Sequence, residues 1–131
     1  MVIIPLLSFN ISQKRHSKAD SLLLRQIQTI ILESLTNDSF TVCMLCHEIG
    51  ISGTQLRRKM QALTGKSPNQ YIRFQRLQEA ARLINEEQLN VSEAAYKAGF
   101  NNMSYFTKCF QAEFGIRPSC YQNIILNSTE K

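Results

Sequence analysis

Ser67-Pro68-Asn69-Gln70-Tyr71-Ile72-Arg73-Phe74-Gln75-Arg76-Leu77 opens the stretch, running on to Gln88, from which the fold can be read. Ser67 offers a hydroxyl to the first turn of a helix, Pro68 stands where no amide hydrogen is needed, and Gln70 can reach back to the chain before it. Apolar residues then recur at Ile72, Phe74, Leu77, Ala80, Ala81 and Ile84. Spacings of one to three place them on one broad face, so the stretch predicts a single helix over 67–88.

The sequences on either side of that helix match each other. Val42-Cys43-Met44-Leu45-Cys46-His47-Glu48-Ile49-Gly50-Ile51 runs parallel to Val91-Ser92-Glu93-Ala94-Ala95-Tyr96-Lys97-Ala98-Gly99-Phe100. Past one inserted residue, Asn101, Leu56 falls on Phe106, Arg58 on Lys108, Met60 on Phe110, Gly65 on Gly115, Pro68 on Pro118 and Tyr71 on Tyr121. This is an internal repeat. Two copies are too few for a solenoid, which leaves two stacked helical hairpins or a paired reading head.

A chain of 131 residues suits one domain, or two small subdomains sharing a connector. Its net charge of +5 favours a polyanionic partner. The distribution says more: between Gly53 and Gln78 lie Arg57, Arg58, Lys59, Lys66, Arg73 and Arg76, with no Asp or Glu. A solvated basic face is the plain alternative. The four cysteines make no disulfide framework, which implies a reducing, cytoplasmic setting. Met1 to Leu7 is apolar but too short to span a membrane and lacks the flanks of a signal peptide, so neither anchor nor signal is expected.

In chain order, residues 1–19 read as a tail or junction. Asp20 or Ser21 can cap a first helix that carries Leu23, Ile27, Ile30, Ile31 and Leu35 inward. Thr41 can cap a short helix to Ile49, Gly50 supplies the turn, and Ser52-Gly53-Thr54-Gln55 is a capping box for a helix that ends at Gly65. Helix, glycine turn, capped helix is the grammar of a helix-turn-helix unit. The second copy repeats it with Asn90 and Glu93, Gly99, Asn102 and Gly115, and Pro118 to Asn123 adds a last turn. The expected organisation is all-α: a first helix-turn-helix subdomain over 20–66, a linker helix over 67–88, a second subdomain over 89–123 and a tail over 124–131. No segment alternates as a half-buried strand does. With no phosphate loop and no triad spacing, enzyme chemistry has no foothold.

A recognition helix enters the major groove with its exposed early face. A connector of about 20 residues is roughly 30 Å long, and groove segments on one face of a duplex recur at about 34 Å. In the first reading helix Leu56, Met60 and Leu63 should face inward, leaving Thr54, Arg57, Arg58 and Gln61 outward. In the second, Phe106, Phe110 and Phe114 recur every four residues, as core packing demands. Met103, Ser104, Thr107, Lys108 and Gln111 then face outward, a less charged set that should discriminate less. Lys66, Arg73 and Arg76 suit phosphate contacts, which position without reading sequence. An ion pair with Glu79 is the other reading of Arg76.

Cys43-Met44-Leu45-Cys46-His47 also matches the attachment pattern of a c-type haem. The repeat gives a plainer account, because Cys43 and Cys46 correspond to Ser92 and Ala95, small residues suited to close helix crossings. A thiol redox role stays open. Zinc would need two further ligands that the spacing does not supply, so neither metal nor cofactor is expected.

Taken together, the sequence resembles the DNA-binding domain of AraC/XylS-type bacterial transcription regulators from about Ser21 to Gln122. The strongest pieces are Leu56-Arg57-Arg58-Lys59 with Leu63-Thr64-Gly65-Lys66-Ser67-Pro68, then Tyr71-Ile72-Arg73 with Arg76-Leu77. Val91-Ser92-Glu93, Gly99-Phe100, Ser104-Tyr105-Phe106, Phe114-Gly115, Pro118 and Tyr121 complete them. The resemblance implies two helix-turn-helix units on one linker helix, binding two adjacent major-groove segments of double-stranded DNA, and recruitment of RNA polymerase, usually as an activator. Base contacts would fall on Thr54, Arg57, Arg58, Met103, Ser104, Thr107 and Lys108. The sequence departs from the family pattern at Gly53, Lys108, Ala94 and Gln122. Lys108 lacks the guanidinium fork, and Gln122 removes a phosphate contact. Two accounts stand open: a stand-alone regulator, or the output end of a longer protein with an upstream sensing domain. A second protomer is a further candidate partner.

Overall fold

The computed structural model describes residues 17–129, and every regular element among them is a helix. In order these are α1 (Lys18–Ser34), α2 (Val42–Ile49), α3 (Gly53–Thr64), α4 (Pro68–Glu86), α5 (Val91–Lys97), α6 (Met103–Phe114) and α7 (Pro118–Thr129). They form two compact units whose boundary falls between Gln75 and Arg76, inside α4. The fold is all-α, with α2–α3 and α5–α6 as the helix-turn-helix pairs.

Polar side chains start the helices as their chemistry requires. Thr41 accepts from the Met44 N–H, Asn90 from Glu93 and Asn102 from Tyr105. Ser52 and Gln55 form a reciprocal capping box, as do Ser67 and Gln70. The start of α1 corrects the expected cap: Ser17 accepts from the Asp20 N–H at 3.0 Å, so the helix begins earlier than Asp20 or Ser21 would have it. Asp20 then sits in the first turn, where the helix dipole favours negative charge. The remainder of the expected tail, residues 1–16, lies outside the described residues.

In the first unit α1 buries Ile27, Ile31 and Leu35 against Leu45 of α2, Leu56 and Met60 of α3, and Tyr71 and Ile72 of α4. Leu24 is buried where Leu23 was expected; Leu23 and Ile30 only edge the core. Each such aliphatic side chain contributes about 1.5–3 kcal/mol when fully buried. Gly50, at φ 83°, holds the left-handed conformation that turns the chain from α2 towards α3.

The second unit is built differently. Its share of α4 supplies Leu77, Ala80, Ala81, Leu83 and Ile84, and the fully buried residues of α5 and its end are alanines, Ala94, Ala95 and Ala98, with Val91 packed at the edge. The space those small residues leave is filled by rings. Phe106 stands 4.9 Å from Phe100 and 5.6 Å from Phe110, which in turn lies 4.6 Å from Phe114 and 5.9 Å from Tyr121. Phe106 and Phe110 are fully buried, so this row is core. The chain beyond Asn123, expected as tail, continues as helix to Thr129, because Ile125 lies one turn from Tyr121 and is buried with it. Residues 130–131 lie outside the described residues. Gln122 donates to the Leu89 carbonyl at 3.2 Å and fastens α7 to the turn before α5.

Candidate nucleic-acid interface

The capping box at Ser52 fixes where α3 begins, and the spacing of Leu56, Met60 and Leu63 fixes which side faces the core. What is left outward is polar and cationic. Thr54, Arg57, Arg58 and Gln61 line one shallow concavity with Ala62, so the structure gathers the whole expected reading set of the first unit. Lys59 turns away: its ammonium lies 2.9 Å from the Asp20 carboxylate, a partly exposed pair worth no more than about 1 kcal/mol that ties α3 to α1.

On α6 the expected set divides. Ser104, Thr107, Lys108 and Gln111 share one concavity, whose wall is completed by Arg117 in the turn between α6 and α7. Met103 instead lies in a neighbouring hollow with Tyr96 and Phe100, 40% exposed. Arg117 was not among the expected residues; its nearness to Lys108 comes from the fold of the turn, which periodicity along one helix does not report.

The three cations expected on phosphates have three different surroundings. Arg73 is half-buried and pairs with no other described residue. Lys66 is half-buried too, with its ammonium 5.0 Å above the Phe74 ring, a cation–π contact that orients the side chain. Arg76 corrects both readings made for it. It is buried, and its Nη1 donates to the Ala98 carbonyl at 3.2 Å, so the guanidinium holds the end of α5. The Glu79 carboxylate pairs with Arg82 through bonds of 2.9 and 2.8 Å. Those bonds push the Arg82 pKa up, with Glu87 adding to the effect.

Cys43 is exposed in a concavity with Phe40, Met44 and His47, whereas Cys46 packs partly against the first core. Among the described residues no group of three or more His, Cys, Asp or Glu is placed to hold a metal, and no helix is long and apolar enough to cross a membrane.

Comparison with known proteins fits this geometry. A family model described as a helix-turn-helix domain matches residues 45–124. The chain is 38% identical over 107 residues to Histidine kinase P4 of Formosa agariphila, covering 82% of this chain and 8% of that protein. It is 32% identical over 102 residues to the transcriptional activator RhaR of Salmonella dublin, covering 78% of this chain and 36% of the activator. The chain therefore spans about a third or less of the length of these relatives. Among solved structures, the DNA-binding domain of the global transcriptional factor AdpA, in complex with a target DNA, superposes with a TM-score of 0.71 at 28% identity. That match covers 77% of this chain and 90% of the other.

Proposed function

The chain belongs to the AraC-type helix-turn-helix DNA-binding domains, and from that membership we propose that it is a sequence-specific regulator of transcription, an activator, acting on double-stranded DNA. Its recognition helices α3 and α6 enter successive segments of the major groove. The observation that carries this reading is the outer face of α3, where Thr54, Arg57, Arg58 and Gln61 share one concavity that no acidic residue lines among the described residues. Arginine pairs bidentately with guanine, and each good pair discriminates by about 1–3 kcal/mol.

Base contacts fall to Thr54, Arg57 and Arg58 on α3 and to Met103, Ser104, Thr107 and Lys108 on α6. Phosphate contacts fall to Lys66 and Arg73; Arg76 leaves that set because it is buried against Ala98. The chain works in the cytoplasm, recruits RNA polymerase, and forms the output end of a longer sensor regulator. Its likeness to a small part of a histidine kinase supports that last point.

The test is selection of the purified chain against random duplexes, followed by sequencing. Two short enriched blocks about one helical turn apart are expected. Salt-sensitive binding without enrichment would refute sequence recognition, and absence of binding would refute the whole reading.

A further inference from the structure

The second unit presents fewer charges on its reading helix than the first, yet one cation stands beside that helix without belonging to it. Arg117 is exposed in the turn between α6 and α7 and lines the same concavity as Ser104, Thr107, Lys108 and Gln111. Two cations and no carboxylate border that hollow among the described residues.

The backbone that carries Arg117 is fixed from both sides. The Gly115 N–H closes α6 on the Gln111 carbonyl at 2.8 Å, and the Arg117 carbonyl accepts from the Tyr121 N–H at 3.0 Å. Pro118 follows immediately and restricts the residue before it to extended conformations. The guanidinium is thus launched from a rigid turn whose far side is anchored by buried Pro118 and Tyr121.

The repeat sharpens the meaning of this residue. Since Gly65 matches Gly115 and Pro68 matches Pro118, Arg117 stands where the first unit has Ser67. Ser67 caps α4 through a reciprocal box with Gln70. Arginine accepts no hydrogen bond and cannot do this. The second unit therefore forgoes a capping hydroxyl and places a five-donor cation beside its reading face.

We propose that Arg117 is a backbone-positioning residue of the second unit, its guanidinium bonding a DNA phosphate that flanks the segment entered by α6. The assignment rests on the DNA-binding reading above. It gives α6 a partner for Lys108 and supplies from the turn the fork geometry that Lys108 lacks.

The experiment measures the affinity of wild type, Arg117→Ala and Arg117→Lys for the selected duplex and for a scrambled duplex of equal length, across a range of salt. Arg117→Ala should lose roughly threefold to tenfold on both duplexes, with the log–log salt slope smaller by about one, and Arg117→Lys should recover most of that slope. Unchanged affinity and slope in Arg117→Ala would overturn the proposal, as would a loss confined to the selected duplex, which marks a base reader. Matching helical content in the three proteins excludes misfolding as the cause. A wild type that binds no duplex would fail the functional reading itself, an outcome distinct from a wild type that binds while Arg117→Ala changes nothing.

Discussion

Tyr71 and Tyr121 occupy equivalent places in the repeat and are equally buried, yet their hydroxyls differ. Tyr71 accepts a hydrogen bond from the Gln28 amide at 3.0 Å, whereas the Tyr121 hydroxyl has no partner among the described residues. The reason lies in the architecture: the first unit includes α1, which brings Gln28 to the tyrosine, and the repeat has no second copy of that helix.

Removing the two hydroxyls should therefore have unequal effects. Tyr71→Phe breaks the bond and strands part of Gln28, costing about 1 kcal/mol, while Tyr121→Phe removes an unsatisfied buried group and should be neutral or stabilising. Denaturant midpoints of the two variants test this; equal losses would contradict it.

Burial also raises both phenol pKa values above the ordinary 10.0, opposed at Tyr71 by bonds from Gln28 and Gln75 and assisted at Tyr121 by the Glu86 charge. The folded state then holds those protons more tightly than the unfolded chain. Their contribution is intact below pH 10 and declines as pH rises through the raised folded values. The double variant Tyr71→Phe with Tyr121→Phe should show a shallower alkaline loss of stability than wild type. Midpoints measured on either side of pH 10 decide it.

Arg58→Ala should relax selectivity at one position of the DNA site by about 1–3 kcal/mol. Arg73→Ala should weaken specific and scrambled duplexes alike and reduce the salt slope by about one. If both variants lose the same affinity on every duplex, the division between reading and positioning residues is wrong.

Arg76→Ala should behave as a core substitution. Its bond to the Ala98 carbonyl is charge-assisted and buried, so its loss should cost about 1.5–3 kcal/mol of stability. In protein still folded at low temperature, the salt slope of DNA binding should not change. A reduced slope without loss of stability would restore Arg76 to the phosphate set.

Which of these features could be read in the sequence follows from how local they are. Thr41, Ser52, Ser67, Asn90 and Asn102 bond amides three residues away, so residue identity alone located five helix starts. The outward face of α3 follows from periodicity within one helix. Arg76 was misread because the carbonyl it serves is 22 residues distant, and Arg117 was passed over because it joins Lys108 in lining one hollow only through the turn that follows α6. The length of α7 depended on a core that Ile125 enters from outside its own repeat copy. Arg117, the residue before its start at Pro118, has no side chain that could cap it.

The boundary between the units falls inside α4, not in a loop, and this governs how the chain can be cut. A protease needs several residues of extended, accessible backbone, and such sites concentrate at termini and loop tips. Around Gln75 and Arg76 the backbone amides are held in a continuous helix whose neighbours Phe74 and Leu77 are buried. Trypsin, despite Arg73 and Arg76 on either side of the junction, should nick the chain elsewhere before it severs one unit from the other.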